Sequence, residues 1–199
     1  MSMSHPVASG TTFPGFADPV LDAQAAFRAV LQAMSRPGQV QRVPLLPEPP
    51  PGLSPAAAAV LLALVDAETR LCLSAGPAAE AWVRFHCGAP LAPAGSAQFV
   101  LGAGLGASGL LDLDPGTEEE PERSATLILE VAALAESGGW RLTGPGIRDE
   151  HRLHVTGAPA GFLADWAENR RRAPRGVDVI LCAGDRLAAL PRSVAIVKG

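Results

Sequence analysis

Two apolar runs, Leu127-Ile128-Leu129 and Val179-Ile180-Leu181, constrain this chain more than any other feature of its sequence. A strand with one wet face alternates apolar and polar residues. These runs do not alternate, so each reads as a strand covered on both faces, Thr126 to Leu134 and Val177 to Cys182. Around them the chain is cut into short pieces by Gly and Pro. Asp18 and Pro19 open a helix in which Val20, Ala23, Phe27, Val30, Leu31 and Met34 recur at helical spacing, and Arg36-Pro37-Gly38 stops it. Gln39 to Leu45 alternates like a strand, and the prolines between Pro44 and Pro55 forbid a central strand there. Ser54-Pro55 starts a second, almost wholly apolar helix. Arg70 to Ser74 reads as a strand, Pro77 to His86 as a helix, and Gln98 to Leu101 as a strand. Gly102 to Glu122 reads as a surface loop or short helix. Ser137-Gly138-Gly139 reads as a turn into a strand at Trp140 to Thr143. Pro159 to Arg172 reads as a helix with Phe162, Leu163 and Trp166 on one face. Ala183-Gly184-Asp185 is the turn of a hairpin into Leu187 to Leu190, and Ser193 to Val197 adds a last strand. Helices and strands alternate at first and strands dominate later, which argues for an α/β sandwich with a mixed sheet.

A chain of 199 residues suits a single domain, expected over residues 18–199 behind a flexible arm at 1–17. The net charge of -4 speaks against nucleic acid and against an anionic membrane surface. No apolar run reaches the ~18 residues of a membrane span, and no secretory signal is visible, so a cytoplasmic protein is expected. Cys72, Cys87 and Cys182 lack the spacing of a zinc site, and free thiols are the default. The one lysine, Lys198, is next to the C-terminus. Schiff-base chemistry and P-loops both need a lysine held in the site, so positive charge must come from arginine.

Several motifs carry possible chemistry. Gly104-Leu105-Gly106-Ala107-Ser108-Gly109 matches a dinucleotide fingerprint, but Pro115 leaves no room for the long helix that would receive a pyrophosphate. His151 and His154 would pair on a helix; in an extended segment they point apart, so no metal site is expected. His86 can cap its helix or serve as a ligand group. Asp178, inside an apolar strand, needs a partner among Arg175, Arg186 and Arg192. Arg170-Arg171-Arg172 offsets a helix dipole or meets a partner. The loop Thr143-Gly144-Pro145-Gly146-Ile147 can turn backbone N–H groups toward an anion, with Arg141 and Arg148 beside it; an ordinary turn is the alternative.

Taken in order, several strings resemble the PhnH family of bacterial phosphonate metabolism. They are Asp22-Ala23-Gln24 with Phe27-Arg28, Ala33-Met34-Ser35 and Pro37-Gly38; Arg84-Phe85-His86 with Ala89-Pro90-Leu91; Ala125 through Leu129; Arg141 to Gly144 with Gly146-Ile147; and Gly176 through Leu181 with Gly184, Arg186-Leu187, Ala189 and Pro191-Arg192. The resemblance runs from about Phe16 to Val197. It implies a three-layer α/β/α fold with a mixed sheet, similar to the pyridoxal-phosphate (PLP)-dependent transferases but without their lysine and with no cofactor. It implies a homodimer in isolation, and PhnG, PhnI and PhnJ subunits as partners. The implied role is that of an accessory subunit of the carbon–phosphorus lyase complex, not catalytic alone. It would support formation of alpha-D-ribose 1-methylphosphonate 5-triphosphate from ATP and methylphosphonate. The family supplies no catalytic residue. The alternative is a subunit with its own phosphate, phosphonate or nucleotide site, built from Arg84, His86, Arg141, Thr143, Gly144 and Gly146.

Overall fold

A computed structural model describes residues 14–44, 46–102 and 109–199. The elements begin with α1 (Pro19–Ser35), β1 (Gln41–Arg42), α2 (Pro55–Leu64), β2 (Leu71–Ser74), α3 (Pro77–His86) and β3 (Phe99–Gly102). They continue with β4 (Thr126–Glu130), β5 (Ala133–Thr143), β6 (His151–Thr156), α4 (Phe162–Arg171), β7 (Asp178–Ala183), β8 (Arg186–Leu190) and β9 (Ala195–Lys198). Six strands form one sheet in the order β1-β8-β7-β4-β3-β2. β2, β3, β4 and β7 run parallel, and β8 and β1 are added antiparallel. The two apolar runs of the sequence are β4 and β7. They lie side by side at the centre of the sheet, with Ile128 opposite Ile180.

The alternation within these strands divides the core. Ile128, Ile180, Leu101 and Leu187 point to one face, where α1, α2 and α3 cover them. Leu127, Leu129, Val179 and Leu181 point to the other. That face is covered by a second sheet, β6-β5-β9, together with α4. The expected α/β/α layering is therefore met on one side only. On the other side Trp140, Leu142 and Leu153 of the small sheet do what a helix layer would do. They are joined by Phe162, stacked 5.3 Å from Trp140, and by Trp166.

The sequence motifs act locally as expected at most boundaries. The Asp18 carboxylate accepts from the Val20 and Leu21 amides at 3.0 Å, and Ser54 Oγ from the Ala57 amide at 3.2 Å. Gly184-Asp185 turns β7 into β8. Two expectations need correction. The strand read from Thr126 to Leu134 is two strands, β4 ending at Glu130 and β5 beginning at Ala133. Ser137 to Gly139 is not a turn; it lies inside β5, where the register with β6 shifts between Ala135 and Trp140. A bulge absorbs the extra residues and keeps one long strand. The last strand, β9, pairs with β5 and not with the main sheet. In α1 the large apolar residues mostly face outward. Ala26, Ala29, Val30 and Ala33 are the buried ones, because small side chains let α1 come close to the alanine-rich start of α2. No helix among the described residues is long and apolar enough to cross a membrane.

Candidate functional site

The Gly-Pro-Gly loop is fixed by close packing at the end of β5. Its turn closes with the Ile147 amide donating to the Gly144 carbonyl at 3.1 Å. Gly146 has φ +82°, and a Cβ there would collide with the Ser35 carbonyl and lie 2.8 Å from Pro37 Cδ. Across the contact, a Cβ on Gly38 would be 2.8 Å from His151 Cδ2. The C-terminal end of α1 and the β5–β6 loop are thus pressed together. Between them lies a cleft of about 340 Å³ whose polar lining is Arg36, Gln39, Arg148, Asp149, Glu150 and His151.

Charge is unevenly satisfied there. Glu150 is shared by Arg141 (3.7 Å) and Arg152 (3.1 Å). His151 Nε2 lies 3.7 Å from Glu136 Oε2, and it is a buried nitrogen without a hydrogen-bond partner. Arg36 and Arg148 form no ion pair among the described residues. Two available guanidinium groups beside a glycine turn suit an oxyanion. Sequence reasoning found Arg148 and the turn but missed Arg36 and the approach of His151. Only the folded contact between α1 and β6 brings Arg36 to the turn and Gly38 against His151.

The expected site residues fall into two groups. Arg141, Thr143, Gly144 and Gly146 sit together on β5 and its loop. Arg84 and His86 are on α3. That helix leaves β2 through Gly76, and the chain returns to β2 where Leu91 bridges Leu71. The loop group abuts the segment after α1, whose Gly38 amide donates to Ala189 of β8. Three strands separate β8 from β2, about 19 Å at ~4.8 Å per strand spacing. His86 packs 4.7 Å from the Trp82 ring and edge-on to Phe85 at 4.9 Å, with Gly15 against its other side.

The remaining motifs resolve as follows. Asp178 is paired by Arg192, at 2.7 Å between Oδ2 and Nη2 and 3.2 Å between Oδ1 and Nε. His151 and His154 lie in β6, an extended strand, and no metal-holding group occurs among the described residues. The arginine run ties α4 to its surroundings: Arg170 donates to the Ser193 carbonyl, Arg172 to the Leu111 carbonyl, and Arg171 pairs with Glu168. Of the dinucleotide fingerprint, residues 104–108 lie outside the described residues. Burial pushes the Cys182 thiol well up and the Cys87 thiol to about 11, so neither is a ready nucleophile. One cleft went unseen in the sequence. It measures about 500 Å³ at the N-terminal ends of β3 and β4, among Arg70, Gln98, Asp114, Arg123 and Ser124. Its residues are scattered between Arg70 and Thr126 and form no local pattern.

A mixed sheet with parallel centre, helices on one face and a small sheet plus α4 on the other defines the class: an α/β protein with an arginine-lined cleft at a sheet edge. The chain belongs to the PhnH family, whose model, described as bacterial phosphonate metabolism protein, matches residues 14–197. A relative from Rhizobium meliloti is 38% identical over 190 residues, covering 91% of this chain and 93% of its own. It is named alpha-D-ribose 1-methylphosphonate 5-triphosphate synthase subunit PhnH. A second, from Stutzerimonas stutzeri, is 37% identical over 175 residues, 87% of this chain and 85% of its own, and bears the name C-P lyase subunit protein HtxG.

Proposed function

We propose that this chain is an accessory subunit of a carbon–phosphorus lyase assembly in organic phosphonate breakdown. It would support formation of alpha-D-ribose 1-methylphosphonate 5-triphosphate from ATP and methylphosphonate. The observation that carries this reading is identity of 38% across 91% of the chain with a protein named as such a subunit. The partners in this reading are PhnG, PhnI and PhnJ, in the cytoplasm, with a homodimer formed in their absence. We also read the layered fold as similar to that of PLP-dependent transferases; Lys198, exposed on β9, is no counterpart to their desolvated lysine. The test is co-expression with the three partner subunits. Stoichiometric co-purification is expected, with no turnover of ATP and methylphosphonate by this chain alone. Robust turnover by the isolated chain would overturn the reading.

A second reading is favoured by the two uncommitted guanidinium groups of the 340 Å³ cleft. Arg36 and Arg148 would hold a phosphate or phosphonate oxyanion there, with the Gly144–Ile147 turn as the floor. Calorimetry with methylphosphonate and with ATP tests it. Heat that disappears in Arg148→Ala supports the site, and no heat at millimolar ligand removes it.

A further inference from the structure

The outward face of α1 is the feature that neither core accounts for. At 100° per residue, Val20, Gln24, Phe27 and Leu31 fall within an arc of about 60°. The buried Ala26, Ala29, Val30 and Ala33 fall on the opposite side. The helix therefore buries its small residues and displays its large ones. Val20 is 64% exposed, Phe27 50% and Leu31 56%. Leu21 is also exposed, and these four are most of the exposed large apolar residues among those described. A stripe of this kind marks an interaction surface.

Charge decides between occupants. α1 spans residues 19–35, so its midpoint is Phe27, and Arg28 is the only charged residue between Asp22 and Arg36. A second copy packing antiparallel about that midpoint would bring Arg28 against its own symmetry mate, which is unfavourable in a desolvated contact. A different chain that offers apolar side chains and one carboxylate would meet both features. The face is also small. A helix of 17 residues is about 25 Å long and about 10 Å wide. That is well short of the ~800 Å² per partner of a self-sufficient interface, so it suits one contact among several in a larger assembly.

We propose that the Val20–Phe27–Leu31 face of α1, with Arg28 beside it, docks an apolar, acid-bearing surface of a different subunit. The inference rests on the accessory-subunit reading. The experiment is co-expression of the full chain with PhnG, PhnI and PhnJ, comparing wild type, Phe27→Glu/Leu31→Glu and Arg28→Glu. Because these side chains are exposed, the variants should keep the wild-type circular dichroism and melting temperature. Co-purified partner is expected to fall at least tenfold for the double variant and severalfold for Arg28→Glu. Full recovery of the complex with both variants would overturn the docking face while leaving the subunit reading intact. A variant that lost only self-association, with the complex unaffected, would overturn it in favour of a second copy. Failure of the wild type itself to assemble would instead strike the subunit reading.

Discussion

Arg192 and Asp178 show how one residue pair can join distant parts of the chain. The guanidinium makes two contacts to the carboxylate, and the Arg192 amide adds a third at 2.7 Å to Asp178 Oδ1. Arg192 Nη1 also donates to the Pro121 carbonyl. Removing the arginine strands a largely buried carboxylate, so Arg192→Ala should lower stability by about 3 kcal/mol, read as a shift in urea midpoint. That Asp178 needed a partner was legible in the sequence, since a carboxylate inside an apolar strand cannot stand alone. Which of three arginines supplied it was not, because they lie 3 to 14 residues away and only the path after β8 selects among them. Gly146 makes a similar point. Its positive φ and its contact with the Ser35 carbonyl leave no room for a Cβ. Gly146→Ala should cost about 1–3 kcal/mol and open the cleft, seen as a lower melting temperature. Asn169 was invisible beforehand. It is fully buried, donating to the Val177 carbonyl at 2.9 Å and accepting the Val177 amide at 2.8 Å. Nothing around Asn169 in sequence signals that bond.

Between elements, Glu130 links the end of β4 to the start of α2. Its Oε1 accepts the Ser54 amide at 2.8 Å. Burial pushes its carboxyl above the ordinary 4.5 despite that hydrogen bond. The folded protein therefore holds this proton to higher pH than the unfolded chain does. The stability it contributes is complete below the ordinary carboxylate range and is lost as pH rises through the raised value. Glu130→Gln, which keeps an acceptor for Ser54, should flatten that decline above the ordinary carboxylate range and raise the urea midpoint at neutral pH. At the same scale, α1 shows what apolar spacing leaves open. Regular spacing of large apolar residues suggests a core-facing stripe, yet here the alanine face is the one that packs. Periodicity reports that a helix has two faces; the shape of its neighbour decides which one is buried.

Across the whole molecule, the thiols can report how cooperatively the layers hold together. Cys182 lies in β7, between both cores, and Cys87 is buried where α3 ends. Cys72 is half-buried on β2. A thiol reagent applied to the native protein should modify Cys72 first. Cys87 and Cys182 should react only at the rate of unfolding, measured by mass spectrometry over time. The sequence by itself determined the central strands, the starts of α1 and α2 and the β7–β8 hairpin, because uninterrupted apolar runs and capping residues act through near neighbours. It also carried the family, through motifs spread along nearly the entire chain. Only the tertiary structure decided that a small sheet shares the second outer layer with α4. It alone separated Arg84 and His86 from the glycine loop, and it brought Arg36 to that loop and Gly38 against His151. Those outcomes depend on strand order and on close approach between segments more than 100 residues apart, and no local pattern of residues encodes either.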